Sequence, residues 1–383
     1  MRVPLAWRNL TADKRRLAVS TLGIAFAVLL MLMQLGFRNA LVDSQVELLR
    51  WLKADIVVVS SAKYQLNVME PFPRRRLYQA AAVDGVLSAL PVYLALEDAL
   101  WKSPQDRTTH RIRVVGVHPE DDVFREIQLT RQLDRIRRPD AALVDTDCRK
   151  HIGRALTGDA TELTRRKIQI AGEFKLGTDF LVDGSAIVSD RTFLNLFPAY
   201  RAADPLLNRV EIGLVRAASG ASIPELISRL NRELPDDVTA MTMSQFIEIE
   251  RSFWMNESPV GLVFNLGTLV GFIVGTVICS QILFTDISER MPQYATLKAI
   301  GYSNGYLKGV VIWQATLLAV VGFAPGVVAS WGAYRLIASL TGLLMRLQAG
   351  IAAIVLVLTI GMCLVSGWFA VRTVLAADPA DVF

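Results

Sequence analysis

The chain has 383 residues, of which 52% are hydrophobic and 20% charged, with a formal net charge of +5. Three cysteines and three histidines are too few for a disulfide scaffold or a multi-ligand metal framework. The apolar residues are not spread as they are in soluble domains; they gather in four uncharged blocks.

Residues 1–16 include VPLAWRNLTADKRR, in which Leu5, Trp7 and Leu10 alternate with basic residues. This suits a segment lying in the membrane interface, or a lead-in to the first helix. Residues 17–37 form the first uncharged block, longer than the apolar core of a signal peptide and with no A-x-A-like site after it, so an uncleaved anchor is expected.

Residues 38–255 follow as a large polar domain whose one cysteine is Cys148, which leaves no internal disulfide. Its runs of β-branched residues predict strands at 54–60, 111–117, 141–145, 166–172, 185–190 and 209–215. Helical patterns at 73–82, 190–197, 223–233 and 244–254 alternate with them, giving an α+β domain. The last of these helices leads almost directly into the second block, so movement of the domain is expected to reach that span without a floppy linker.

Blocks 260–284, 309–334 and 347–371 complete a set of four predicted transmembrane helices, each beyond the roughly 20 residues that cross a bilayer. Between them lie a loop at 285–308, a short loop at 335–346 and a tail at 372–383. Arg2, Arg8, Lys14, Arg15, Arg16, Arg290, Lys298, Lys308 and Arg372 flank one side; Arg335 and Arg346 flank the other. The excess of positive charge puts both termini and the 285–308 loop in the cytoplasm and the large domain outside. The spans hold no Asp, Glu, Lys or Arg, so no proton or ion relay runs through them. Gly267, Gly271 and Gly275 form a small-residue row that serves either packing within the chain or a dimer face. Gly322, Pro325 and Gly326 mark a weak point in the third span, and Gln34, Asn265, Gln281 and Gln314 are polar enough to bond across helices.

Catalytic chemistry is not indicated. No P-loop pattern occurs, His110, His118 and His151 lack ligand spacing, and Asp121, Asp122 and Glu126 have no nucleophile beside them. Ser185 lacks a nucleophile elbow. The basic clusters Arg74 to Arg76 and Arg135 to Arg138 read as solvated faces, and no nucleic-acid partner is expected.

The 285–308 loop contains ERMPQYATLKAIGYSNGYL, which reads as a short helix. Ser288 suits its N-cap, Pro292 its first turn, Lys298 its negative end and Gly301 its left-handed close. So short a helix is not stable alone in water. Tyr294, Leu297 and Gly301, with Ala295 and Ala299 beside them, form a small face for a groove on another protein, or for the membrane or the chain's own helix ends.

This loop resembles the one after the second span of FtsX/MacB-like ABC transporter permeases, where Glu-Arg precedes a Leu-Lys/Arg-Ala-hydrophobic-Gly core. YATLKAIGY and the preceding GFIVGTVICSQILFTDISER resemble most the DevC branch, known from cyanobacteria. AWRNLTADKRRLAVSTLGIAF, EIGLV and the terminal DPADVF agree with the family in the same order along the chain. The resemblance implies a non-catalytic homodimeric permease subunit in a bacterial inner membrane, with a periplasmic domain and no cofactor of its own. ATP and Mg would be held by two copies of a separate ATPase. Glu289, Arg290, Tyr294, Thr296, Leu297, Lys298, Ala299, Ile300 and Gly301 would make the ATPase contact. A periplasmic adaptor, a TolC-like outer-membrane channel and membrane lipid would be the other partners, with a lipid, glycolipid or other envelope-bound cargo. An FtsX-like regulator of a cell-wall hydrolase and a membrane-anchored enzyme are the alternatives.

Overall fold

The computed structural model describes residues 13–376 except 150, 151, 154, 180 and 342–344; the side chains of 294, 295, 299, 341 and 372–376 are also outside the description. Residues 1–12 of the interfacial segment expected at 1–16, His151 and the DPADVF tail therefore lie outside the described residues, while Lys14, Arg15 and Arg16 of that segment already belong to the first helix.

Among the described residues, four helices are long and apolar enough to cross a membrane: Lys14–Trp51, Pro259–Glu289, Asn304–Thr341 and Ala349–Ala376. The chain is a membrane protein with four transmembrane helices and a large domain of mixed sheet and helix between the first two. Two compact units divide it, one built from the spans and one largely from Ala40–Ser258.

The first helix does not stop where its uncharged block ends at Phe37 but runs on to Trp51. Residues 38–51 contain no Gly or Pro, and Leu41, Val42, Val46, Leu48 and Leu49 recur at helical spacing and are buried. Arg50 meets Asp43 at 3.0 Å and Glu47 at 3.3 Å on the polar face. Charge ended the apolar block, but it did not end the helix. The third helix likewise continues past Tyr334, so most of the loop expected at 335–346 is helical.

Within the span unit, small residues set the packing. A Cβ on Gly322 or Gly326 would sit 2.6–2.7 Å from Ile24 or Val28 of the first span, which brings the third span close to the first. Pro325 lies inside that unbroken helix. The Tyr334 hydroxyl donates to the Leu32 carbonyl across the same interface.

Among its described residues, the other unit is organised by thirteen strands. They are β1 (Ile56–Ser60), β2 (Phe72–Pro73), β3 (Val86–Ala95), β4 (Leu100–Lys102), β5 (Thr109–Arg111), β6 (Arg113–Val117), β7 (Ala141–Asp145), β8 (Ala160–Leu163), β9 (Arg166–Phe174), β10 (Ser185–Ser189), β11 (Arg209–Val210), β12 (Ile212–Ala217) and β13 (Val238–Thr242). Eleven form one sheet in the order β13-β1-β12-β3-β6-β10-β7-β9-β8-β4-β5, while β2 and β11 pair separately. The β6–β10 and β7–β9 pairs are parallel and the other pairs antiparallel. Alternate residues of β1 feed two cores: Ile56 and Val58 join helices 75–81, 190–196 and 223–233, whereas Val57 and Val59 join Leu48, Leu49 and Phe246. A sheet covered on both faces explains why IVVVS is apolar without alternation.

The loop at 61–71 is tied down by polar groups that are themselves buried. Leu66 N–H donates to Glu250 Oε2 at 2.6 Å, Asn67 donates to Gln45 Oε1 at 2.9 Å, and Lys63 Nζ lies 2.7 Å from Glu211 Oε2. Glu250 belongs to the helix Met243–Ser252, started by a capping box between Thr242 and Gln245. A short π-helical segment at Phe253–Glu257 follows, with Trp254 Nε1 donating to Glu250 at 2.8 Å.

Candidate functional site

The loop between the second and third spans contains a helix, Met291–Ala299. Its start differs from expectation. Ser288 lies in the last turn of the second span, and Arg290 takes the N-cap position at φ −97°, ψ 8° with no side-chain cap. Pro292 sits in the first turn, where its missing N–H costs no helical bond. The end is a Schellman motif: Gly301 has φ +99°, Tyr302 N–H donates to Leu297 O at 3.1 Å, and Gly301 N–H donates to Lys298 O at 3.1 Å.

Along the helix, Leu297 and Met291 are half-buried against the apolar core of the span unit. Leu297 thus packs in part on its own chain, and its other part stays open to solvent. Thr296 is exposed, with its hydroxyl donating to Pro292 O at 2.8 Å, and Lys298 is half-buried. Ile300 is 71% exposed and Tyr302 45%, with the Tyr302 ring 4.8 Å from that of Tyr306. The side chains of Tyr294 and Ala299 are outside the described residues. Among the described side chains, the outward apolar surface is carried by Ile300 and Tyr302 at the helix's end.

Beneath the helix start lies a group that the sequence did not single out. Asp286, just past the uncharged block, is 6% exposed. Its Oδ1 accepts from Arg16 Nη1 at 3.2 Å and from Arg290 Nε at 3.2 Å, and its Oδ2 accepts from Gln314 Nε2. Arg16 also grips Glu289 with two bonds of 2.7 Å. The Glu289 side chain is 63% exposed, so that pair is screened and worth roughly 0–1 kcal/mol. Asp286 is the shielded member, and its charge is the one that cannot be left alone.

The glycine row of the second span is filled from within the chain. A Cβ on Gly267 would meet Gln34 at 2.5 Å, one on Gly271 would meet Met31 at 3.2 Å, and one on Gly275 would meet Met362 at 2.5 Å and Ala27 at 2.8 Å. Within one chain the row therefore serves packing, the first of the two uses expected for it.

Residues 261–379 match the family described as FtsX-like permease C-terminal. In that stretch the chain is similar to an FtsX-like permease domain. The matched residues hold all but the start of the second span, and with it the capped helix, Asp286 and both later spans. An uncharacterized ABC transporter permease of Mycobacterium tuberculosis, present in two strains, is 22% identical over 386 residues, covering 99% of this chain and 98% of the relative. Among solved structures, the periplasmic region of MacB from Actinobacillus actinomycetemcomitans is 10% identical, with 51% of this chain and 92% of that one covered at a TM-score of 0.35. The extracellular domain of the ABC-type transporter YknZ is 11% identical, with 49% and 100% covered at 0.33.

Proposed function

We propose that the chain is the permease subunit of an ABC-type exporter and that the helix Met291–Ala299 couples it to a separate ATPase. The observation that carries this reading is a capped helix inside the FtsX-like domain, hung between two spans and turning Ile300 and Tyr302 outward. An isolated helix of this length is not stable in water, and an exposed isoleucine beside a tyrosine is a natural anchor for a groove. With no P-loop in the chain, the nucleotide and its Mg belong to the partner.

Two ATPases closing on ATP would draw two copies of the helix together. The spans would carry that motion to the large domain, which works on cargo with an adaptor and an outer-membrane channel. The flanking charges support cytoplasmic termini and a periplasmic domain. The wording of the loop supports a DevC-type member, and lipid, glycolipid or another envelope-bound cargo suits an exporter whose spans hold no ion relay.

The test is purification of the tagged chain from native membranes in mild detergent, beside an Ile300→Glu variant. Ile300 is preferred to Leu297 because Leu297 packs on its own bundle. A P-loop ATPase that accompanies the wild type and is lost from the correctly folded variant is the expected result. An ATPase absent from both, or retained by the variant, would overturn the assignment of this helix.

A further inference from the structure

We propose that Asp286 is a positioning residue of the coupling machinery, a buried carboxylate that fastens the start of the coupling helix to the first and third spans as one rigid joint. The proposal rests on the permease reading above and adds the element that passes motion on.

The geometry assigns this role by connectivity. Arg290 stands at the helix N-cap, Arg16 at the start of the first span and Gln314 in the third, and all three converge on the two oxygens of Asp286. The second span supplies the carboxylate itself. Apolar contacts alone permit sliding between helices, whereas a carboxylate held in three directions fixes both distance and rotation. Arg16 adds a second hold through Glu289, so the start of the first span is bound to two carboxylates of the second span's last turn, just before the short helix begins. A displacement of Ile300 by a docked partner is then delivered to the first span through side-chain bonds, without waiting on a backbone path through the second.

A joint is favoured over a latch that opens in each cycle. Asp286 is 8% exposed at its side chain, Arg290 14% and Arg16 22%, so parting them would strand charges in poorly solvated surroundings. An opening latch would draw instead on exposed pairs of the kind Glu289 makes, which exchange readily with water.

The test uses the complex of permease and ATPase in lipid nanodiscs, with spin labels on Leu22 of the first span and Val357 of the fourth, both exposed, in a background free of native cysteines. ATP with vanadate is expected to shift the label distance in the wild type. Asp286→Ala should keep the ATPase bound and hydrolysing while the shift is lost, and Asp286→Asn, which keeps the shape and one acceptor, should retain part of it and covers the case in which the alanine variant does not fold. Loss of stability with an unchanged shift would reduce Asp286 to a packing role and overturn the joint. An unchanged shift in both variants would do the same. If no ATPase accompanies the wild type, the permease reading itself fails, and the joint fails with it.

Discussion

Lys63 Nζ and Glu211 Oε2 lie 2.7 Å apart with both side chains fully shielded from solvent. Tyr200 also donates to Glu211 at 3.0 Å, and Lys63 also donates to the Val68 carbonyl at 2.6 Å. Burial pushes the Glu211 carboxyl above its ordinary value, and Lys63 is the main force opposing that rise. Removing either partner strands the other, so Lys63→Met or Glu211→Gln is expected to cost about 3–5 kcal/mol of stability. The pair Lys63→Met with Glu211→Gln should cost clearly less than the sum of the two single changes. Denaturant titration of the full chain in detergent measures all three, and a strictly additive double variant would show the pair to be uncoupled.

A second prediction concerns the glycine row. Gly275 has Ala27 Cβ at 2.8 Å from its missing Cβ, a short side chain that cannot turn away, whereas the nearest neighbour at Gly271 is the flexible Met31 side chain at 3.2 Å and the rest stand at ordinary contact distance. Gly275→Ala is therefore expected to destabilise by about 1–3 kcal/mol and Gly271→Ala by much less. Thermal unfolding at a dilution where the chain is monomeric separates this from an effect between copies. A row that worked only in self-association would leave the monomer unchanged.

The spans were legible because a run of more than 20 uncharged residues has few other uses. Gly301 was legible because closing a helix calls for a positive φ that glycine supplies without strain. The strand Val86–Ala95 was not, since VLSALPVYLA interrupts its β-branched residues with Pro91 and shows no alternation. Its register with β12 comes from the sheet. The helical extension to Trp51 was hidden by the charges that end the apolar run, although its buried residues keep helical spacing. Asp286 was hidden for a different reason. Its partner Arg16 is 270 positions away, and a convergence of that kind exists only after the helices pack. The one signal available was an acidic residue two places beyond an otherwise uncharged block.

Asp145 sets a pH dependence. Its carboxylate accepts from the backbone N–H groups of Asp147, Leu176 and Gly177 at 2.9–3.1 Å, yet burial dominates and pushes its pKa from 3.8 up to about 6. A raised value means that the folded state holds the proton more tightly, so between about pH 4 and 6 unfolding releases protons and stability falls as pH rises. The contribution is fully present below the unfolded value and gone above the folded one, about 3 kcal/mol in all as an order of magnitude. Asp145→Asn cannot titrate and bears a constant penalty where its amide faces Gly177 N–H. The advantage of wild type over this variant should be greatest near pH 4 and shrink toward pH 7. Thermal unfolding of both at matched pH values measures it, and an advantage that grew with pH would reverse the assignment.

The last prediction tests how the second and fourth spans meet. Cys279 and Cys363 are both buried, with their Sγ atoms 3.4 Å apart. That separation is beyond a disulfide bond of about 2.05 Å but within reach of a small side-chain rotation. A membrane-permeant oxidant such as diamide takes two electrons and two protons from the pair, forming one S–S bond as the diazene becomes a hydrazine. Cross-linking within a single chain is expected, while Cys148, which is far from both in sequence and sits in the other unit, stays available to an alkylating reagent after unfolding. The mass after oxidation and alkylation reads this directly: one alkylated thiol before reduction and three after it. Three alkylated thiols in the oxidised sample would mean that these helices do not meet at this register. A bond formed between copies would place the second span at a dimer contact after all.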